Sequence, residues 1–112
     1  MNWKFVAIIV IFVILLALPV IFHFQSRKTE KERAIEVCIK ACREAVISGR
    51  DLSVGPCLLD PVPDLRDWVC DVAHWPRQDV DNLPENQCSS FRERKARHFV
   101  EVDPSCKFIR AY

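Results

Sequence analysis

Residues 5–24 read FVAIIVIFVILLALPVIFHF, and all six cysteines of the chain come after this apolar run. A run of about 20 residues forms a helix of roughly 30 Å, which matches the hydrocarbon thickness of a bilayer. The run is longer than the apolar segment of a cleavable signal peptide, and no small-residue cleavage site follows Phe24. The sequence therefore predicts an uncleaved signal anchor over residues 1–26, which tethers the rest of the chain to a membrane by a single span.

The cysteines indicate a small domain that is closed by disulfide bonds. The chain after the anchor is short, so its core alone is only marginally stable, and each disulfide typically contributes about 2–4 kcal/mol. An even number of cysteines behind an export-like segment is typical of a disulfide framework. We therefore expect these residues to be bonded in pairs, with the pairing left open: Cys38, Cys42, Cys57, Cys70, Cys88 and Cys106.

The spacing of Cys38 and Cys42 places both sulfur atoms on one helix face, one turn apart. A bond across that turn would be strained, so we expect each cysteine to reach a different strand or loop. A redox pair would favour Cys-x-x-Cys, and a structural zinc site would need two closely spaced pairs. The spacing therefore favours a structural role over either alternative.

The orientation of the anchor follows from two conflicting signals. Disulfides persist outside the cytoplasm, which favours a cell-membrane protein whose C-terminal domain lies outside the cytoplasm. The positive-inside rule favours the opposite orientation, because only Lys4 precedes the run whereas four basic residues follow it closely: Arg27, Lys28, Lys31 and Arg33. We give the cysteines the greater weight; a hyperthermophilic host, whose cytosolic proteins also carry disulfides, is the open alternative.

The periodicity after the anchor predicts a helix from Arg27 to Ser48. Its apolar residues recur at steps of three and four, and Gly49 is a suitable stop. We interpret residues 27–37 as a charged helical stalk and residues 38–112 as the Cys-rich extracytoplasmic domain. We also expect an irregular loop over Arg50–Asp67 and a second helix from Asn82 to about Lys95. A capping box begins at Asn82.

Three strands complete the predicted domain. Aromatic and β-branched residues favour a strand over residues 68–74, and the turn residues Asp103 and Pro104 favour a hairpin between His98–Val102 and Lys107–Ala111. The expected fold class is therefore α+β: an N-terminal transmembrane helix, then a disulfide-stapled domain with two helices and a short antiparallel sheet.

The polar residues of the domain offer few candidates for chemistry. The sequence after the run carries 15 acidic and 15 basic residues, so a nucleic-acid partner is not expected. His74, His98, Asp71 and Glu101 would form a metal or acid–base site if the ends of their strands met. The alternative is that the two histidines are ordinary strand-end residues and that the two carboxylates face solvent.

A contact with a protein partner is the remaining possibility for the loop at Trp75 and Arg77, since Trp and Arg are favoured interface anchors. We expect a binding or assembly module, such as an accessory subunit or surface protein, with no cofactor. The alternative is a small metal-binding or hydrolytic domain that uses His74 and His98 with nearby carboxylates.

Four segments of the domain resemble a family of small archaeal proteins with one N-terminal membrane segment and a Cys-rich domain. They are residues 55–58 (GPCL), 68–74 (WVCDVAH), 81–88 (DNLPENQC) and 98–104 (HFVEVDP). The resemblance covers about residues 38–104. It implies an archaeal source, and it assigns no activity and no site residues.

Overall fold

The computed structural model describes residues 1–25 and 28–112. The first helix, α1, comprises Trp3–Gln25 and has Pro19 in its interior. Within it, Trp3–His23 contains an 18-residue stretch that has a mean hydropathy of 3.4 and no buried residue. By length and composition this helix is able to cross a membrane. Ser26 and Arg27, where we placed the boundary between anchor and stalk, lie outside the described residues.

The second helix, α2, comprises Glu30–Ile47 and begins at a capping box. The Thr29 hydroxyl accepts a hydrogen bond from the Glu32 amide, and the Glu32 carboxylate accepts one from the Thr29 amide. Gly49 follows the helix with a φ of +81°. Ala34, within the segment that we interpreted as a stalk, is completely buried. The described part of that segment therefore includes the first half of a helix that already packs into the domain.

The domain is α+β, as the sequence predicts, and its sheet has four strands in the order β1-β2-β3-β4. The strands are β1 (Cys57–Leu59), β2 (Trp68–Val72), β3 (His98–Val102) and β4 (Phe108–Ala111). The hairpin of β3 and β4 is antiparallel, as expected, and β1 is a short strand inside the predicted loop.

The central pair of the sheet corrects the expectation of a wholly antiparallel arrangement. Strands β2 and β3 are parallel, with Trp68 opposite His98 and Val72 opposite Val102. The connection between them returns the chain to the end of the sheet at which β2 began. Such a return is needed whenever consecutive strands run in the same direction.

This crossover connection, residues 73–97, replaces the long helix predicted from Asn82 to Lys95. It contains two 3-10 turns, Asp79–Asn82 and Pro84–Asn86, and one short helix, α3 (Ser89–Arg92). Asn82 ends the first turn instead of capping a long helix. The chain is then bonded to β1 through Cys88, and this tether limits how far a helix could extend.

Strand alternation gives the sheet two different faces. Residues Cys70, Val72, Val100 and Val102 are no more than 1% exposed and pack against α2 in the main core. We call this side the helix face. The other side, the open face, carries Val69, Asp71, Phe99, Glu101 and Arg110, and it is covered only by the crossover. The open face therefore has room for a pocket.

All six cysteines are paired, which confirms the predicted disulfide framework. The bonds join Cys38 to Cys70, Cys42 to Cys106 and Cys57 to Cys88. The two cysteines of α2 reach different elements, β2 and the β3–β4 turn, as their spacing predicts. Two bonds thus attach α2 to the helix face, and the third attaches the crossover to β1.

Candidate functional site

A pocket of about 790 Å³ lies on the open face of the sheet. Its size is within the usual range of ligand sites, roughly 300–1,000 Å³. The sheet forms its floor, and the crossover, including α3, forms one wall. Its lining combines aromatic side chains with charged ones, among them five arginines: Arg77, Arg92, Arg94, Arg97 and Arg110.

Glu101 is the charged centre of the pocket floor. Its side chain is only 8% exposed, yet two guanidinium groups reach it. Arg77 Nη1 donates to Oε1 at 3.2 Å, and Arg110 Nε donates to Oε2 at 2.9 Å. Arg110 also lies over the Phe99 ring, 5.3 Å from its centre. Two arginines therefore compensate the negative charge of this buried carboxylate.

Asp71 lies beside Glu101 because the two residues are opposite each other in the parallel register of β2 and β3. Its Oδ1 is buried and has no hydrogen-bond partner among the residues that the structure describes. Burial raises the pKa of Asp71 to about 8, and the negative charge of Glu101 adds to the effect. Asp71 is therefore largely protonated at neutral pH. The interpretation that these two carboxylates face solvent is wrong, since the crossover covers the face they share.

His74, just after the end of β2, contacts a different carboxylate, that of Asp81. The His74 ring Nδ1 lies 2.9 Å from Asp81 Oδ1, and the amides of His74 and Gln78 donate to Oδ2 at 3.0 Å and 2.9 Å. Burial would raise the pKa of Asp81, but these hydrogen bonds hold it below its ordinary value. Asp81 thus closes a turn of the crossover, and we call this group the Asp81 cap.

His98 lies at the opposite end of the sheet from His74. It is level with Trp68, on whose ring it stacks at 4.6 Å. A strand rises about 3.3 Å per residue, so the length of β3 alone separates the two sheet ends by roughly 13 Å. The structure therefore does not assemble the site that we proposed for His74, His98, Asp71 and Glu101. It brings together only Asp71 and Glu101.

Other potential metal ligands do not replace this set in the part of the chain that the structure describes. The one group there whose ligand atoms approach one another is Cys57, Asp60 and Cys88. Two of its members are bonded to each other as a disulfide. Their sulfur atoms are therefore not thiolates, which are the form that binds metal.

The predicted contact residues Trp75 and Arg77 have separate environments. Trp75 is 75% exposed at the surface of the crossover. Arg77 lines the pocket and is held by Glu101 and by the Asn82 side chain, whose Oδ1 accepts from Nε at 2.8 Å. Arg77 is therefore part of the pocket, while Trp75 is an exposed aromatic residue at the surface.

Sequence reasoning missed the arginines and aromatic residues of the wall. Arg110 is opposite Glu101 in the β3–β4 register, so the predicted hairpin contained the signal for this ion pair. Arg92 and Arg94 lie in a basic stretch that we assigned to a long helix. Within residues 1–25 and 28–112, neither forms a salt bridge with a carboxylate, whereas Arg97 pairs with Asp67 at 2.8 Å.

Comparison of the chain with protein-family models, with characterised proteins and with solved structures finds no match. The likeness to small archaeal membrane proteins accordingly stays a prediction. The pocket has to be interpreted from its own chemistry: a buried ion-pair centre, a carboxyl group without a partner, and arginines beside aromatic rings.

Proposed function

We propose that this protein is a membrane-anchored binding or assembly module whose domain lies outside the cytoplasm. The observation that carries the proposal is the pocket on the open face, in which arginines without carboxylate partners lie beside aromatic rings. Such a surface is suited to recognition, because Arg and Tyr are enriched among the few residues that dominate the binding energy of protein interfaces. The apolar helix α1 would hold this surface close to the membrane.

The disulfides support the proposed location. All six cysteines are bonded, and bonds of this kind persist in oxidising compartments. Two of them lie between α2 and the sheet, where they stabilise the core of the domain. The basic flank after α1 opposes this orientation, and acidic neighbours such as Glu30 and Glu32 weigh little in the positive-inside rule.

Binding is favoured over catalysis by the state of the two carboxyl groups. A protonated Asp71 beside an ionised Glu101 is the arrangement that an acid–base pair would need. Glu101, however, already accepts hydrogen bonds from Arg77 and Arg110. Both oxygens of Glu101 are therefore engaged by guanidinium groups, so we assign the pair a role in shaping the charge of the pocket.

The orientation is tested by reporters fused after Tyr112, which is 73% exposed. Alkaline phosphatase is active only after export, and green fluorescent protein fluoresces only when it stays in the cytoplasm. We expect phosphatase activity and no fluorescence in cells that make the full chain. The opposite result would place the domain in the cytoplasm and overturn the location.

The binding role is tested by a photo-crosslinking residue placed at the pocket edge, Tyr112, in cells of the native host. The matched control places the same residue at Ile47, which is 86% exposed on the far end of α2. We expect a discrete adduct from position 112, absent from position 47 and lost in the Arg92→Gln/Arg94→Gln variant. Equal adducts from both positions, or none from position 112, would contradict contact between the pocket and a macromolecular partner.

A further inference from the structure

We infer that the pocket binds an organic anion whose carboxylate or phosphate group pairs with Arg92 and Arg94 and whose apolar body packs against Phe91 and Phe99. This inference deepens the proposed function and rests on it. It assigns to the pocket the chemical class of its ligand, an anionic head joined to an apolar body.

The anionic head follows from the charges of the lining. Five arginines face the pocket and only two carboxyl groups do, Asp71 and Glu101. Glu101 accounts for Arg77 and Arg110, so the ion pairs of the floor are complete. Arg92 and Arg94 have no such partner among the described residues. A guanidinium group offers paired N–H donors that match the oxygens of a carboxylate or a phosphate.

The apolar body follows from the aromatic wall beside these arginines. The Phe91 and Phe99 rings meet edge to face at 5.0 Å, and Tyr112 stacks on Phe99 at 6.0 Å. Phe91 is nevertheless 37% exposed and Tyr112 73% exposed. An inorganic anion would leave this apolar surface in water, and an uncharged apolar ligand would leave the arginines unpaired. A ligand that has both parts uses both features.

Asp71 makes the binding dependent on pH. Four charged groups surround it: Glu101 on β3, Arg110 on β4, and Arg77 and Asp81 on the crossover. Its pKa is raised to about 8, so the carboxyl group becomes negative as the pH rises through that value. The new charge repels an anion in the same pocket. We expect a like charge in the same pocket to weaken binding by about tenfold.

The experiment titrates the full-length chain, held in nanodiscs of zwitterionic lipid at about pH 6.5, where Asp71 is protonated, and follows binding by nuclear magnetic resonance. The probes are 3-phenylpropionate, phenyl phosphate, the uncharged 3-phenylpropionamide, and inorganic phosphate. We expect the resonances of Phe99 and Tyr112 to show saturable chemical-shift changes with at least one of the two phenyl anions. The amide and phosphate alone should bind about tenfold more weakly. The tighter phenyl anion identifies the head group. Equal binding of the amide or of inorganic phosphate would overturn the inference.

Variants locate the binding. Arg92→Gln/Arg94→Gln removes the two unpaired arginines, and Arg43→Gln, on the exposed side of α2, is the matched control. We expect the affinity for the phenyl anion to fall about tenfold in the double arginine variant and to stay unchanged in the control. Asp71→Asn should bind the phenyl anion with equal affinity at about pH 6.5 and pH 9.5, while the affinity of the native chain falls over that interval. Unchanged binding in the arginine variant, or a native affinity independent of pH, would overturn the assignment.

The two proposals fail in different ways. If no probe binds but the adduct at position 112 persists, the ligand class is wrong and the binding role of the pocket stands. If both the probes and the adduct are negative, the binding role fails as well.

Discussion

Asp81 and Asp71 both belong to the same small domain, but the hydrogen-bond donors and the charges around their carboxyl groups differ. The carboxylate of the Asp81 cap accepts hydrogen bonds from two backbone amides and contacts the His74 ring. The pKa of this carboxylate is lowered, although burial acts to raise it. Asp71 Oδ1 has no donor, and burial beside Glu101 raises the pKa of that group to about 8. The charge of each carboxyl group therefore depends on burial together with the donors and the charges beside it.

The contrast also separates structural from functional parts of the molecule. The Asp81 cap closes a turn, and every polar group named in it is hydrogen-bonded. Among the described residues, the pocket contains a carboxyl oxygen of Asp71 without a hydrogen-bond partner, together with Arg92 and Arg94, which form no salt bridge. Native proteins satisfy most buried polar groups, so an unsatisfied one next to a pocket is a reason to assign that pocket a role.

The largest effect is expected at the Asp81 cap. Asp81→Ala leaves the part-buried amides of His74 and Gln78 without their acceptor and removes the contact with the His74 ring, and an unsatisfied buried donor costs about 1–3 kcal/mol. We expect the free energy of unfolding to fall by about 4 kcal/mol, measured by urea denaturation of the oxidised full-length chain in detergent. Asp79→Ala, an exposed change in the same turn, should have almost no effect. Equal stability of the two variants would show that the cap is not structural.

A second test introduces a steric clash with the Asp81 cap by adding a Cβ atom at Gly55. Gly55 has a φ of +67°, and a Cβ there would lie 2.5 Å from Asp81 Oδ1 and 3.0 Å from the Val72 carbonyl oxygen. Gly55→Ala should therefore lower the free energy of unfolding by about 3 kcal/mol. Gly49→Ala shares the strain of a positive φ, +81°, but meets nothing within 4 Å. It should cost about 1 kcal/mol, so an equal loss in both variants would exclude crowding at Asp81.

A third test removes the ionisation of Asp71. The folded-state pKa of about 8 lies above that of the unfolded chain, so the native state binds the extra proton between about pH 4 and pH 8. The contribution of Asp71 to stability is complete below pH 4 and is lost as the pH rises to about 8.

The free energy of unfolding of Asp71→Asn should therefore equal that of the native chain near pH 4 and exceed it near pH 8. We expect a gain of about 2 kcal/mol in the free energy of unfolding, since relaxation and water penetration reduce the full penalty. Denaturant titrations of both chains across this range measure the difference. A constant difference at all pH values would contradict a raised pKa of Asp71.

The smallest effect tests the influence of Glu101 on Asp71. Glu101→Gln removes the neighbouring negative charge, which is the second cause of the raised pKa, and leaves burial, which is the first. The pKa of Asp71 should fall but stay above its ordinary value. The infrared band of the protonated carboxyl group, identified by its absence in Asp71→Asn, gives the midpoint. Glu93→Gln, an exposed change on the crossover, should leave that midpoint where it is.

Local patterns in the sequence were sufficient for several elements. The apolar run predicted α1, the three- and four-residue spacing predicted the body of α2, and the turn at Asp103 predicted the hairpin of β3 and β4. The spacing of Cys38 and Cys42 predicted that they bond to different elements. These features depend on interactions between residues that are near in the chain, and such interactions are visible in a single sequence.

The pocket could not be predicted in the same way. Alternation along β2 and β3 placed Asp71 and Glu101 on one face, but not the crossover that covers that face. The alternative site required the strand ends at His74 and His98 to meet, as they would in an antiparallel pair, and the parallel register puts them at opposite ends. A single error in strand direction was enough to change which residues share a site.

The sequence by itself determined that this chain has an apolar helix, a set of cysteines fit for disulfides, and amphipathic elements for one α+β domain. Only the tertiary structure decided the disulfide pairing, the direction of β3 relative to β2, and the protonation of Asp71. The physical reason is range. Periodicity and turn chemistry act within a few residues, whereas strand direction depends on a long connection, and a pKa depends on which groups, however distant in the chain, replace water around the carboxyl.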